Sequence, residues 1–107
     1  MMNIQKMMQQ AQEVQFKLQE MQERFKDLEV SGESGGGIVK VVMTCSGVLR
    51  SLSIEPGIIN ADDKETMEDL IVAAVNNAGE NRDIRVQQET QKMMEAMGLP
   101  AGAKLPF

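Results

Sequence analysis

The stretch SGESGGGIVKVVM, residues 31–43, sets three consecutive glycines against an apolar, β-branched run. A glycine loop that cradles phosphate follows a strand and opens a helix whose first amides hold the anion, and its nucleotide-binding form closes on Gly-Lys-Ser or Gly-Lys-Thr. Here Gly35, Gly36 and Gly37 lead instead into IVKVV, a strand-forming run, and neither GxGxxG nor GxxxxGK occurs in the chain. The glycines therefore read as a turn between two strands, supplying positive φ angles that other residues adopt at a cost.

Working outward from that turn, EVSGE (29–33) reads as a short edge strand and IVKVVMTC (38–45) as a central one. VLRSLSI (48–54) follows, with Val48, Arg50, Leu52 and Ile54 on one face and Leu49, Ser51 and Ser53 on the other. Ser46-Gly47 suits a two-residue hairpin connection. Pro56-Gly57 ends this three-stranded antiparallel meander.

Helices flank it. Upstream, Ile4, Met7, Ala11, Val14, Leu18, Met21, Phe25 and Leu28 recur at alternating intervals of three and four, an unbroken heptad seam set among good helix formers. A helix over about 3–28 would be roughly 37 Å long, more than so small a core can cover. Part of the seam must pack on a second copy of the chain or on the other long helix, and homodimerisation is the preferred explanation. Downstream, a helix over about 62–97 opens on Asp62, Asp63, Glu65, Glu68 and Asp69, which complement the helix dipole, with Asp62 and Glu65 as a loose capping box. Those acids match no calcium-loop spacing and have no histidine or cysteine partner, so capping and solvation account for them. Leu70 to Val75 is apolar all round and should be buried on several sides, against the sheet and a partner subunit. Gly98 can cap the helix, and residues 98–107 read as an irregular tail. The whole is a single α+β domain, residues 1–107, of order αβββα.

Composition narrows the chemistry. Histidine, tryptophan and tyrosine are absent, which removes the commonest general base, the commonest metal ligand and the best stacking surfaces. A lone cysteine, Cys45, forms no intramolecular disulfide and is expected to be a small buried apolar residue. Catalysis would rest on Lys40 or a carboxylate pair, for which no spacing argues; no enzyme, cofactor, metal or small-molecule substrate is expected. No apolar run reaches about 18 residues, so the chain is expected to be soluble, unprocessed and cytoplasmic. The formal net charge of −5 opposes nucleic acid as a partner.

Taken together, the glutamine-rich amphipathic helix, GESGGGIVKVVM, SLSIEPGII, DDKETMEDLIVAAVNNA and GLPAGAKLPF resemble the YbaB/EbfC family of bacterial nucleoid-associated proteins, over essentially the whole chain and in the same order. The resemblance implies a homodimer whose pooled strands form the body while the long helices project like tweezer arms. It also implies binding of double-stranded DNA with little sequence preference, nucleoid organisation and an influence on expression. One departure is GENRDIRV (79–86), where Gly79 bears on how straight and stable the second helix is.

On a heptad wheel with Ile4 at a, Gln10, Lys17 and Arg24 fall at g, and Glu13, Glu20 and Asp27 at c. A local basic stripe can hold phosphate on an acidic protein, since screening limits distant charges to about 8 Å. Lys17 and Arg24, with Lys6 extending them, are candidate DNA contacts on the first helix; Arg82, Arg85 and Lys92 are their analogues on the second. Asn81, Gln87, Gln88 and Gln91 could donate to phosphate or base edges. The same charges also form favourable i, i+4 pairs on an ordinary solvated helix, Glu13 with Lys17 and Glu20 with Arg24. The alternative function is a dimeric helical adaptor whose partner is a protein, which the acidic charge and methionine-rich seam would suit. Phe16, at position f, discriminates: packing against the sheet makes it core, the expected outcome, and exposure on the arm makes it a partner contact.

Overall fold

Gly35, Gly36 and Gly37 all adopt positive φ, at 60°, 71° and 99°, in a computed structural model that describes residues 3–98. Three successive left-handed residues reverse the chain within four positions, at a cost that any side chain would raise by about 1–2 kcal/mol each. The turn joins strand β1 (Glu29–Ser34) to strand β2 (Val39–Thr44), paired antiparallel with Gly32 opposite Val41. Strand β3 (Leu49–Ile54) completes a sheet of order β1-β2-β3. Helix α1 (Ile4–Phe25) precedes it; two short 3-10 turns, Pro56–Ile58 and Ala61–Asp63, lead to helix α2 (Lys64–Ala96). The α+β order expected from the sequence is the observed one.

The β2–β3 connection is longer than the expected two residues. Thr44 Oγ1 accepts from Val48 N–H at 3.0 Å, and Gly47, at φ 95°, donates to Thr44 O at 2.9 Å, so residues 45–48 form the loop. A bulge between Val42 and Met43 then shifts the register: Val41 pairs with Leu52, but Met43 pairs with Leu49. The regular pairing of β3 with β2 fails there, because a bulge sets an extra residue against one partner. Arg50 reaches the carbonyl of Lys26 at 3.1 Å.

Val39, Val41 and Met43 project from β2 onto Ala74 and Ala78 of α2. Gly32 lets the helix come this near. A Cβ there would sit 2.6 Å from Ala74 O and 2.7 Å from Ala78 Cα, and against Ala78 N. A second cluster, Met21, Phe25 and Cys45, joins α1 to the end of the sheet and to Val86 and Met93 of α2. Helices α1 and α2 run antiparallel: Arg24 meets Glu89, while Glu13 and Phe16 share a groove with Ala96 and Met97. The result is 72 Å long and 21 × 17 Å across, with a radius of gyration of 19.5 Å, against about 13 Å for a compact chain of this length.

Several expectations are corrected. Helix α1 stops at Phe25, short of 28, because Leu28 O accepts from Cys45 N–H at 2.7 Å and draws the chain into the sheet. Only the second half of the heptad seam packs on this chain; Ile4 and Met7 are exposed. In the apolar block, Ala74 is buried and Leu70, Ile71 and Val75 half-buried on the side that α2 turns to the sheet, while Val72 faces away from it, on the side expected to meet a partner subunit, and is exposed in the single chain. Gly79 does not interrupt α2, which runs unbroken through it; its penalty of about 1 kcal/mol is small beside the packing of a helix this long. The Asp62–Glu65 capping box is absent: Asn60 Oδ1 caps the 3-10 turn through Asp62 N–H at 3.0 Å, and Thr66 Oγ1 donates to Asp63 at 2.7 Å. Phe16 is 60% exposed instead of core, because the sheet begins beyond Phe25, about 14 Å further along the axis. Gly98, at φ 73°, does end the second helix; the remainder of the tail lies outside the described residues.

Candidate nucleic-acid interface

Lys17 and Arg24 lie seven residues apart on α1, and Arg85 and Lys92 seven apart on α2, so each pair shares a helix face with about 10 Å between its members. Antiparallel packing sets the two pairs beside one another. Lys17, Arg24 and Lys92 line a groove of 530 Å3 between the helices, together with Glu20, Glu89 and the methionines Met21, Met93 and Met97.

Glu89 organises this edge. Its carboxylate accepts from Arg24 Nη2 at 3.2 Å and from Arg85 Nε at 3.1 Å, and Lys92 Nζ lies 3.8 Å away. The Glu89 side chain is 6% exposed; those of Arg24, Arg85 and Lys92 are 63%, 40% and 72% exposed. Burial pushes the carboxyl up, but the Arg85 hydrogen bond and the charges of Lys92 and Arg24 outweigh it and hold the group below its ordinary value. Lys17 pairs only loosely with Glu20, at 3.6 Å. Four cations, Lys17, Arg24, Arg85 and Lys92, thus pair with two carboxylates, Glu20 and Glu89, along one edge of a chain that is negative as a whole, with Glu13 and Glu23 bordering the neighbouring grooves.

The other two candidates lie elsewhere. Lys6 is exposed on the projecting end of α1, about 16 Å along the axis from Lys17. Arg82 donates from Nε to Cys45 O at 2.7 Å and from Nη1 to Asp83 at 3.0 Å, tying α2 to the end of β2. Asn81 is likewise occupied, donating to Ser31 O at 2.8 Å. Burial raises the Cys45 thiol above its ordinary value, against the opposing charges of Arg85 and Arg82. Among the described residues, no cluster of histidine, cysteine or acidic side chains could hold a metal ion, and no helix is long and apolar enough to cross a membrane.

Sequence reading missed Glu89. A signal existed: Ala74, Ala78, Arg82, Arg85 and Glu89 step by four, four, three and four, so Glu89 continues the buried stripe of α2. A carboxylate at a core-facing position flanked by cations three and four residues away announces a buried ion cluster.

A small antiparallel sheet bearing an arm of two antiparallel helices, with Lys17, Arg24, Arg85 and Lys92 along one edge of that arm, defines the class as a small αβββα protein. Residues 1–97 match the family model described as the YbaB/EbfC DNA-binding family, and the chain belongs to that family, whose members are DNA-binding, nucleoid-associated proteins. Its fold is similar to the crystal structure of the uncharacterized protein HP0035 from Helicobacter pylori, with a TM-score of 0.74 at 22% identity over 88% of this chain and 99% of that one.

Proposed function

We propose that this protein is a non-catalytic homodimer that binds double-stranded DNA through its backbone, largely without regard to sequence, and so contributes to nucleoid organisation in the cytoplasm and to gene regulation. The observation that carries the reading is the edge where Lys17, Arg24, Arg85 and Lys92 gather, the last three around the one buried carboxylate of Glu89. Family membership supplies the ligand; the edge supplies a means of holding it. Lys6 extends the contact along α1. Arg82, held by Cys45 O and Asp83, contributes mainly by fixing α2 on the sheet.

Dimerisation is supported by what a single chain leaves in water. Strand β3 is an edge strand with Val48, Leu49 and Leu52 exposed beside it, and Val72 is exposed on α2. Apolar edges of this kind are covered in stable proteins. Pairing two chains there doubles the cationic edges and sets their separation through the sheet.

If all eight cations of the dimer engage phosphates, the slope of log affinity against log salt is about −7, a loss on the order of 10^4 between about 50 and 200 mM salt. Fluorescence anisotropy on several unrelated duplexes at both salt concentrations tests this. Similar affinities that collapse together at the higher salt support the reading. No binding at low salt favours the adaptor, for which exposed Phe16, Ile4, Met7 and Met8 on α1 are the supporting observation.

A further inference from the structure

We propose that Glu89 is a positioning residue for the phosphate contacts, so that removing this negative charge weakens DNA binding instead of strengthening it. The proposal rests on the DNA reading above and adds to it a role for a carboxylate.

Simple electrostatics gives the opposite expectation. An acid among DNA-binding cations lowers the local potential and competes with phosphate for the same donors, so neutralising it should tighten binding. The geometry argues otherwise. Glu89 lies beneath the cations, almost wholly buried, while Arg24, Arg85 and Lys92 spread over it into solvent. A carboxylate offers two oxygens with about four lone-pair sites, enough for three cations, and each guanidinium carries about five N–H donors. Arg24 uses one donor on Glu89 and Arg85 another, and the rest stay available to a ligand arriving from outside. Phosphate therefore has no need to displace Glu89.

The carboxylate also spans the two helices, since Arg24 stands on α1 and Arg85 and Lys92 on α2. Without it, three like charges crowd one edge and repel, and each long side chain regains rotamers that must be frozen again on binding. The amide introduced by Glu89→Gln would keep the shape but could not hold three cations. A group already ordered by a buried partner binds at a lower entropic cost than one ordered by its ligand.

Glu20 supplies the control. It borders the same groove and carries the same charge, yet it is about half exposed and pairs only with Lys17 at 3.6 Å. E89Q and E20Q each add one positive charge per subunit to one edge. Anisotropy titrations of both full-length variants on one duplex across a salt series, with melting and sedimentation to verify the fold, separate charge from position. E89Q is expected to bind about tenfold more weakly, with a salt slope shallower by about one per subunit, and E20Q about two- to threefold more tightly. Should E89Q fail to fold, E89D keeps the charge and shifts its position; weaker binding at unchanged net charge supports the role, and wild-type affinity overturns it. E89Q binding as tightly as wild type or more so, or both glutamine variants weakening alike, would also overturn it. Wild-type protein without salt-sensitive DNA binding would instead remove the DNA reading itself.

Discussion

Gly32→Ala is the sharpest test of how α2 seats on the sheet. A methyl group at residue 32 meets the backbone of α2 at Ala74 O, Ala78 N and Ala78 Cα, none of which can rotate away as a side chain would. Restoring ordinary contact means lifting α2 by about 0.8 Å, a gap that forfeits a quarter to a half of the dispersion attraction across the contact. Val39, Val41 and Met43 lose their fit to Ala74 and Ala78 at the same time. Overpacking of this kind costs about 1–3 kcal/mol, and the reduced freedom of the unfolded chain returns about 0.4–1 kcal/mol. A net loss of about 1.3 kcal/mol, the difference between the midpoints of those ranges, lowers Tm by about 5–10 °C. Circular dichroism melts measure it, run at one protein concentration because an associating protein's Tm depends on concentration. Gly36→Ala is the matched control: nothing lies within 4 Å of its Cβ position, so only the strain of φ 71° remains, about 1 kcal/mol. If Gly32→Ala melts within about 2 °C of wild type, α2 does not approach the sheet as described.

Gly79→Ala should act in the opposite sense: residue 79 is inside α2 with nothing within 4 Å of its Cβ position, so the helix gains about 1 kcal/mol and Tm rises by several degrees. A lower Tm would mean that another surface packs on that glycine. Cys45 is fully buried with its thiol raised above the ordinary value, so a thiol reagent should label it only as fast as the protein opens, and immediate labelling of native protein would show the α1–sheet contact to be open. The Glu89 carboxyl is held below its ordinary value of 4.5, so its stabilising contribution is complete above that pH and is lost as pH falls through the depressed folded value. The Tm advantage of wild type over E89Q should therefore be constant near neutrality and shrink in acid; an advantage that grows on acidification would reverse the assignment.

The sheet was the most legible part of the molecule. Three glycines before a β-branched run have few physical solutions, and the strand order followed from short connections. The heptad seam announced α1, but not how much of it this chain covers, because a periodic pattern carries no information about the length of its partner surface. The exposed Phe16 shows the same limit: position f is outside the seam, and only the placement of the sheet decides whether anything lies opposite. The shift that sets Leu49 against Met43 was not readable, because a bulge has no compositional mark in LRSLSI. On the arm, the spacing of Lys17 with Arg24 and of Arg85 with Lys92 was readable within each helix. Their convergence on Glu89 was not, since Arg24 and Glu89 are 65 residues apart and meet only through the antiparallel packing of α1 on α2.

Arg24→Ala combined with Lys92→Ala tests the cationic edge most directly, since one residue stands on each helix and both side chains are largely exposed. The salt dependence of duplex binding is the quantity to measure, in wild type and in the double variant, with both proteins verified as folded. Loss of two phosphate contacts per subunit should flatten the slope by about four in a dimer, at a lower affinity. A slope equal to that of wild type would mean that DNA, if bound, is held by another surface.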